Sequence, residues 1–392
     1  MKTINFTNKY RKLKYLPNIA LAILIFCFFK LLNKESVKKK IILIGGHLGE
    51  KYLDNSAILH QYIQENYDGY EVYWLTSNLN KDYVKDINGK VVKLGSFENY
   101  LLFLKSKACY FSHSLSTDIA PVIDKVVSNQ WKPIRVHLSH GIEGLKKNIF
   151  FQDIENVDYY ICSSNEEKRI KHEEWKLEEK KLVVTGVPRY DKLFKNKDSV
   201  PKKTVLYAPT WREWINSTDD DYFIKTEFFT TLKEIISSNE LNEMLQKYDF
   251  NLEIVLHPFM HNKIHLFNKI APLSNIRIIN ENEDVSNKII ESSILITDYS
   301  SVCWDFLYLN KPVIFYQFDQ ELYLQKRGAY LDLNKDLFGE VVLKQEQLLQ
   351  QIENTFVTKL VNTEAYEKKR NKYFDYLDDK NCERVIQYTL TN

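Results

Sequence analysis

Paired cysteines and metal-binding spacings are missing from this 392-residue sequence. Its five cysteines are far apart, and no two have the C-x-x-C spacing that zinc and redox motifs use. Their odd number argues against a disulfide framework, so a reducing compartment is expected. The cysteines are Cys27, Cys109, Cys162, Cys303 and Cys382.

An excess of one charge is missing as well. The chain has 54 lysines and arginines against 52 aspartates and glutamates, a formal net charge of +2. Nucleic-acid-binding domains are usually clearly basic, so nucleic acid is not an expected partner. The sequence also lacks a G-x-S-x-G motif, a Walker A lysine and a G-x-G-x-x-G motif. Hydrolase, kinase and dehydrogenase functions therefore lose their usual sequence support.

A hydrophobic segment near the N-terminus is short for a membrane-spanning helix. Residues 15–29 carry no charge, and basic residues flank them on both sides. At 1.5 Å per residue the run would reach roughly 23 Å, short of the roughly 30 Å of a hydrocarbon core. No small-residue cleavage site follows it, which argues against a signal peptide.

Two interpretations of this segment are left, a buried helix and a membrane anchor. We favour an anchor that lies in the interface or barely spans the bilayer, because basic flanks suit an anionic membrane surface. The same flanks do not fix an orientation, since the positive-inside rule needs an asymmetry.

Apolar strands alternate with helix-compatible stretches in two series along the rest of the chain. The first series begins with Ile41–Ile44, and the second begins near residue 203. Such alternation predicts an α/β protein, and a chain of this length is too long for one compact core. We therefore predict a GT-B-like architecture of two Rossmann-like domains facing a cleft. The predicted divisions are a membrane segment at residues 1–40, an N-terminal domain at 41–195 and a C-terminal domain at 196–392.

The predicted strand at Ile294–Thr297 leads into a segment that is suited to bind an anion. Asp298 ends this strand, Ser300 and Ser301 follow, and a helix is predicted from Val302. Hydroxyls and free backbone N–H groups at a helix N-terminus bind phosphate well. A plain serine cap of that helix is the alternative.

Two histidines also end apolar strands, one in each predicted domain. His140 is followed by Gly141, which lets a ligand approach the backbone closely. His257 is followed by Pro258, which ends the strand. Histidine can take a proton from a hydroxyl near neutral pH. Each alone would be interpreted as a structural histidine, but together with the serine pair they indicate one shared site.

Other groups accompany these segments. Arg212 could pair with a phosphate, and Lys146 follows the His140 loop closely enough to face an anionic substrate. Either alone would be an ordinary solvated charge. The remaining histidines show no metal-ligand spacing with carboxylates, so no metal site is predicted. They are His47, His60, His113, His137, His172, His261 and His265.

Several of these segments resemble the CDP-glycerol glycerophosphotransferase family, which includes the teichoic acid primases and polymerases. The resemblance covers most of the chain from Gly45 to about Gly339. Its most specific strings are Ala208-Pro209-Thr210-Trp211-Arg212 and Thr297-Asp298-Tyr299-Ser300-Ser301. Supporting pieces are Tyr52-Leu53-Asp54-Asn55-Ser56, His140-Gly141, Gly186-Val187-Pro188-Arg189-Tyr190-Asp191, His257 and Asp305-Phe306. A member of this family is expected to bind the activated donor in its C-terminal domain.

The resemblance also implies a role for each matching residue. His140 falls on the base that deprotonates the acceptor hydroxyl, and His257 on a histidine that holds the donor pyrophosphate. Ser300 and Ser301 fall on the donor phosphate site. The further predicted substrate-binding residues are Asp298, Arg212, Thr210, Gly141 and Lys146, together with Asp305 as a ribose contact. No metal and no cofactor are expected.

The implied reaction transfers glycerol phosphate or ribitol phosphate from CDP-glycerol or CDP-ribitol to a hydroxyl of a lipid-linked saccharide or polymer, releasing CMP. Such chemistry builds teichoic acid or capsule-type polymers at the cell membrane, with the catalytic domain on the cytoplasmic side. The family's Trp-His-Gly-Thr-Pro-Leu-Lys appears here as Ser139-His140-Gly141-Ile142-Glu143-Gly144-Leu145-Lys146, which leaves the acceptor open. The alternatives are a GT-B glycosyltransferase that uses a nucleotide sugar and an inactive membrane-tethered scaffold. No oligomeric state is predicted.

Overall fold

The chain folds into two compact units. The computed structural model describes residues 13–31, 40–147, 157–279 and 285–391. Unit 1 contains Met1–His140, Phe150–Lys192 and Asp378–Asn392, and unit 2 contains Gly141–Ile149 and Leu193–Leu377. Each unit is built around a parallel sheet, so the predicted α/β class is confirmed.

Unit 1 is a seven-stranded sheet with helices. The strands are β1 Ile41–Gly45, β2 Glu71–Thr76, β3 Lys90–Lys93, β4 Ala108–Phe111, β5 Ile134–His137, β6 Tyr159–Cys162 and β7 Leu182–Val184. The first six helices are α1 Leu16–Leu31, α2 Asp54–Asn66, α3 Asp82–Lys85, α4 Phe97–Lys105, α5 Asn165–Trp175 and α6 Arg189–Lys195. The strand order is β3-β2-β1-β4-β5-β6-β7. Both β1 and β4 are fully buried apolar strands, as expected for the centre of a parallel sheet covered on both faces.

Unit 2 is a six-stranded sheet with helices. Its strands are β8 Lys202–Ala208, β9 Asn251–Ile254, β10 Ile276–Ile278, β11 Ser292–Thr297, β12 Val313–Tyr316 and β13 Glu340–Val342. Its helices are α7 Glu213–Asn216, α8 Asp220–Phe223, α9 Glu227–Ile236, α10 Asn239–Tyr248, α11 Ile264–Phe267, α12 Val285–Glu291, α13 Val302–Tyr308, α14 Gln320–Lys326, α15 Gln345–Val357 and α16 Glu364–Tyr373. The strand order is β10-β9-β8-β11-β12-β13.

Each sheet has one topological switch point. The strand order reverses between β1 and β4 in unit 1 and between β8 and β11 in unit 2. Ligands of doubly wound sheets bind outside the carboxyl ends of the strands at such points. The residues that follow these strands therefore lie where the topology favours a ligand.

The C-terminal segment belongs to unit 1, which differs from the predicted domain of residues 196–392. Helix α17 (Asn381–Thr391) is held there by the buried carboxylate of Asp191. That carboxylate accepts hydrogen bonds from Asn381 N, Asn381 Nδ2 and Cys382 N at 2.8, 2.7 and 2.9 Å. Residues 141–149 likewise belong to unit 2 and not to the domain predicted at 41–195. Both differences arise from contacts between distant residues, which local strand and helix patterns do not show.

Helix α1 packs into unit 1 with one face only. Ile19, Ala22 and Phe26 are buried in the core of this unit, which agrees in part with the buried-helix interpretation. The large apolar residues of the helix that are exposed are Leu16, Leu21, Leu24, Phe28 and Leu31. Among the described residues, we find no helix with the length and apolar character that a membrane crossing requires. Residues 1–12 and 32–39 of the predicted membrane segment lie outside the described residues.

A buried arginine joins the two central strand ends of unit 2. Arg212, which is 1% exposed, donates from Nε and Nη2 to the two carboxylate oxygens of Asp319, at 2.8 Å each. Its Nη2 also lies 2.8 Å from Asp298 Oδ2, an ion pair without the geometry of a directed hydrogen bond. The ring of Tyr299, stacked on Tyr323, lies 5.1 Å from the guanidinium carbon. These contacts fix the turn after β11 against the segment after β8.

Replacing Arg212 should destabilise unit 2 strongly. Arg212→Met leaves the carboxylates of Asp298 and Asp319 buried without a counter-ion, which should lower the free energy of unfolding by about 3–5 kcal/mol. Urea unfolding followed by circular dichroism and intrinsic fluorescence measures the change. The matched control is Arg277→Met, because Arg277 of the same unit pairs with Glu253 while half-exposed, where a pair contributes about 0–1 kcal/mol. Equal losses in the two variants would contradict this account.

Candidate active site

Three histidines of unit 1 follow neighbouring strands at the carboxyl edge of the sheet. His47 follows β1, His113 follows β4 and His140 follows β5. The ring centroid of His140 lies 5.0 Å from that of His47 and 4.9 Å from that of His113. Spacing along the chain could not show this cluster, because its members come from three separate strands. The one sequence feature that could have indicated the cluster is a histidine two or three residues after each of three apolar strands.

His140, the predicted base, is paired with a carboxylate. Its Nδ1 lies 3.0 Å from Asp54 Oδ2, and its ring is more than half exposed. Arg189 Nη1 lies 3.3 Å from Asp54 Oδ1 and donates to His140 O at 3.1 Å. Burial alone would raise the pKa of Asp54, but Arg189 and His140 outweigh it and hold that pKa well below its usual range. The Asp54 carboxylate is therefore charged, which favours the proton on Nδ1 and leaves Nε2 of His140 as the basic nitrogen.

The turn that carries His140 is held in a strained conformation. Ser139, directly before it, has a left-handed φ of 62°, which is uncommon for a residue other than glycine. Asn55 Nδ2 donates to Ser139 O at 2.9 Å, and the buried Lys171 Nζ donates to Ser139 Oγ at 2.8 Å. Asn55 Oδ1 also accepts from Arg189 N at 3.0 Å. The Asp-Asn pair at the start of α2 thus positions both the ring and the backbone of His140.

The carboxylate of Asp118 supports the other two histidines. Its Oδ2 lies 3.3 Å from His113 Nδ1, and its Oδ1 accepts from Leu48 N at 3.0 Å, next to His47. Burial would lower the pKa of His113, but the hydrogen bond that its ring donates to Asp118 and the negative charge of Asp118 outweigh burial and raise it. Burial and the neighbouring His140 lower the pKa of His47 to about 4, so His47 is neutral near pH 7.

Two further histidines of unit 1 are structural. His60 Nδ1 lies 2.8 Å from the Tyr52 hydroxyl, and burial lowers the pKa of His60 to about 4. Burial and, secondarily, Lys171 lower the pKa of His137 to about 3, and its Nδ1 accepts from Ser139 N at 3.2 Å. Both rings are neutral supports of the edge that carries His140.

In unit 2, Asp298 ends β11 with a fully buried carboxylate. Its Oδ1 accepts hydrogen bonds from Thr210 N at 2.8 Å and from Tyr299 N. Its Oδ2 pairs with Arg212. The Asp298 carboxylate therefore makes these contacts within unit 2 and shapes the turn after β11.

Three other predicted substrate contacts are buried as well. Asp298 and Asp319 pair with the guanidinium of Arg212, so the predicted contact of Arg212 with a phosphate would require this ion cluster to open. Thr210 is buried, and its Oγ1 has no hydrogen-bond partner among the described residues. Asp305 is buried within α13, so a ribose contact would require its side chain to become accessible.

The predicted phosphate serines lie at the start of α13, which is seven residues long. Ser300 and Ser301 are both half-buried. Ser300 Oγ accepts from Val302 N at 3.4 Å, whereas Ser301, the N-cap residue of α13, makes no side-chain capping hydrogen bond to this turn. The pair nevertheless follows β11 at the switch point of the sheet, where the topology favours a ligand.

The loop of residues 141–147 packs onto this same turn. A Cβ on Gly141 would lie 2.7 Å from Ser301 Oγ, so glycine is needed here for close approach to the serine. Gly144 O accepts from Tyr330 N at 2.9 Å, and Lys147 N donates to Gly328 O at 3.0 Å. Gly141 therefore lies against Ser301, and the approach of a substrate at this glycine stays a prediction.

Lys146 is the cation of unit 2 that was predicted to face an anionic substrate. Its side chain is half-buried, and burial lowers its pKa while Glu143 opposes part of that effect. It forms no ion pair with any described residue, whereas the nearby Arg327 pairs with Glu213 at 2.7 Å. Lys146 thus carries a charge that a bound phosphate could neutralise.

His257 follows β9, as predicted, and is half-buried. Its ring is stacked on that of Trp211, with centroids 5.7 Å apart and an angle of 27°. Its carbonyl accepts from Met260 N at 2.8 Å. The string Ala208 to Arg212 therefore supports two features, the ring of His257 through Trp211 and the turn after β11 through Arg212.

Comparison with known sequences identifies a family. A sequence model described as CDP-Glycerol:Poly(glycerophosphate) glycerophosphotransferase matches residues 26–391. The minor teichoic acid biosynthesis protein GgaB of Bacillus subtilis (strain 168) is 26% identical over 87% of this chain and 39% of its own length. The teichoic acid glycerol-phosphate transferase of Staphylococcus aureus (strain NCTC 8325 / PS 47) is 25% identical over 93% of this chain and 96% of its own. The chain spans half the length or less of several relatives, including 48% of the teichoic acid poly(glycerol phosphate) polymerase of B. subtilis.

Comparison with solved structures supports the fold. The wall teichoic acid polymerase TagF has a TM-score of 0.70 and 20% identity, with 98% of both chains covered. A UDP-GlcNAc 2-epimerase from Methanocaldococcus jannaschii has a TM-score of 0.53 and 15% identity over 90% of this chain and 99% of its own. The match to the family over residues 26–391 goes further than the shared fold, and it shows that this chain belongs to the CDP-glycerol:poly(glycerophosphate) glycerophosphotransferase family.

Proposed function

We propose that this chain transfers an alditol phosphate from a CDP-alditol to a hydroxyl of a lipid-linked saccharide or polymer acceptor and releases CMP. The observation that carries the proposal is the Asp54–His140 pair, set at the carboxyl edge of unit 1 in a chain of this family. The relatives are named for transfer of both glycerol phosphate and ribitol phosphate, so either alditol is a candidate for the donor.

His140 acts as the general base in this proposal. Nε2 of His140 takes the proton of the acceptor hydroxyl while that oxygen forms a bond to the β-phosphorus of the donor. The bond between the β-phosphorus and the bridging oxygen breaks, and CMP leaves with the bridging oxygen. Asp54 stabilises the imidazolium that results, and solvent later removes the proton.

Unit 2 supplies the donor site in this proposal. Negative charge builds on the transferring phosphoryl group and on the leaving CMP, and catalysis of such transfers depends on positioning and on fixed positive charge. Lys146 and His257 are the candidate cationic groups, and the hydroxyls of Ser300 and Ser301 are candidate donors of hydrogen bonds. Arg212 and Asp298 have an indirect role, because their ion pair fixes the turn that carries Ser300 and Ser301. The proposed reaction uses these protein groups and requires neither a cofactor nor a metal ion.

We propose further that the exposed face of α1 rests on the cytoplasmic surface of the cell membrane, where a lipid-linked acceptor is held. Leu24, Phe28 and Leu31 are 69%, 60% and 83% exposed, and they follow one another at helical spacing. Lys14 and Lys30, at the two ends of the helix, are also exposed. An apolar stripe with basic residues beside it suits the interface of an anionic leaflet.

The donor is tested by supplying CDP-glycerol, CDP-ribitol and UDP-GlcNAc separately, each with a lipid-linked acceptor. We expect CMP release with one of the CDP-alditols and a product heavier by one or more alditol phosphates, measured by mass spectrometry. Turnover of the nucleotide sugar alone would favour the glycosyltransferase alternative. Absence of CMP release with every donor and acceptor would favour the scaffold alternative.

The base is tested by His140→Ala. Loss of a general base should lower the rate of CMP release by about 10²–10⁴-fold, while binding of the CDP-alditol, measured by thermal shift, should change little. His172→Ala is the matched control, because His172 is an exposed histidine of the same unit. If His140→Ala turns over at nearly the normal rate, the base assignment is wrong.

The membrane face is tested by Leu24→Glu combined with Phe28→Glu. Each side chain loses about 1.5–3 kcal/mol of burial, so the affinity for vesicles of anionic phospholipid should fall by roughly 100-fold or more. Sedimentation with the vesicles measures binding. Val200→Glu, a substitution of an exposed valine elsewhere, is the control and should bind as the unmodified chain does. Unchanged binding of the double variant would refute this role of α1.

A further inference from the structure

The histidine cluster of unit 1 has the composition of a metal site. Among the described residues, His47, His113 and His140 each offer one ring nitrogen, and these nitrogens lie within 4.8 Å of one another. In a tetrahedral zinc site with bonds of 2.0–2.1 Å, ligand nitrogens would be about 3.3 Å apart. Closing that difference takes shifts of about an ångström in each ring, and His140 is exposed enough to move.

The supporting carboxylates strengthen this interpretation. Asp54 contacts Nδ1 of His140, and Asp118 contacts Nδ1 of His113, which leaves Nε2 of each ring for another partner. Metal-binding histidines almost always donate their second ring N–H to a carboxylate, a backbone carbonyl or water. Asp118 also accepts from Leu48 N and His113 N, so one carboxylate fixes the loops of two of the three histidines.

His47 provides an independent indication. Its Nε2 is buried and has no hydrogen-bond partner among the described residues. A buried polar atom without a partner normally costs free energy. A metal ion shared with His113 and His140 would satisfy this nitrogen.

We propose that His47, His113 and His140 bind a divalent transition-metal ion of the zinc class, with Asp54 and Asp118 as the supporting carboxylates. Three histidines leave a fourth coordination position open. The site takes the ion through the same Nε2 of His140 that removes the acceptor proton. This competition for Nε2 of His140 rests on the proposed function. Bound zinc and general-base catalysis therefore exclude each other, and the ion inhibits CMP release.

Metal binding is tested first, without reference to activity. Co²⁺ is titrated into the chelator-treated full chain, and the visible d–d absorption of tetrahedral cobalt is followed. We expect one equivalent to bind and Zn²⁺ to displace it. Loss of an outer-shell partner costs metal affinity about 10–100-fold, so His47→Asn and His113→Asn should each weaken Co²⁺ by at least that much. His265→Asn, a change of an exposed histidine in unit 2, should leave the titration unchanged.

Circular dichroism and thermal unfolding establish that each variant is folded. Should one of the asparagine variants fail to fold, Asp118→Asn serves instead, with an expected loss of about 10–100-fold in Co²⁺ affinity. Absence of Co²⁺ binding, or equal binding by the folded histidine variants and the unmodified chain, would overturn the site.

Inhibition is tested second, with each protein compared with its own rate in chelator. Zn²⁺ should inhibit CMP release by the unmodified chain, and His47→Asn should raise the inhibitory concentration by at least about tenfold. Co²⁺ binding without inhibition by Zn²⁺ would keep the metal site and overturn the competition with the base. Absence of CMP release under all conditions would count against the proposed function, and the cobalt titration would still decide the metal site.

Discussion

The contact between the Asp54 carboxylate and the His140 ring is the interaction on which the proposed chemistry depends. A free histidine exchanges its proton between two nitrogens and rotates about two side-chain bonds. The charged carboxylate at 3.0 Å favours one tautomer and one orientation. Arg189 holds both partners at once, by its contact with the carboxylate and its hydrogen bond to the carbonyl of His140. The proposed base is thus oriented in advance by fixed groups, and such preorganisation lowers a barrier without reorganisation during the reaction.

Unit 2 also fixes a charged side chain with carboxylates, but there the ion pairs hold a turn in place. Arg212 has the residue type of a phosphate ligand, but two carboxylates enclose it and aromatic rings cover it. Burying an ion cluster contributes little net stability, whereas breaking one is costly. The cluster therefore sets the geometry of the turn at Ser300 and Ser301, and Lys146 is the candidate cation of the proposed donor site.

The sequence predicted the fold and the strand ends well, because these depend on local patterns. Apolar runs gave both sheets, and His140 and His257 do follow strands as expected. What the local patterns did not show depends on contacts between distant residues. Helix α17 packs in unit 1 because its first residue donates a hydrogen bond to Asp191, which is distant in sequence. The enclosure of Arg212 needs Asp319, and the neighbours of His140 come from two other loops. The type of a residue and its position after a strand do not reveal which groups its side chain contacts in the folded protein.

A double-mutant cycle on Asp54 and His140 measures whether the carboxylate acts through the ring. The values of kcat/KM for CMP release are compared for Asp54→Ala, His140→Ala and the double variant. If Asp54 acts through His140, its removal costs nothing once the ring is gone, so the double variant should match His140→Ala within about twofold. Losses that multiply, with the double variant slower than His140→Ala by the full effect of Asp54→Ala, would contradict the account.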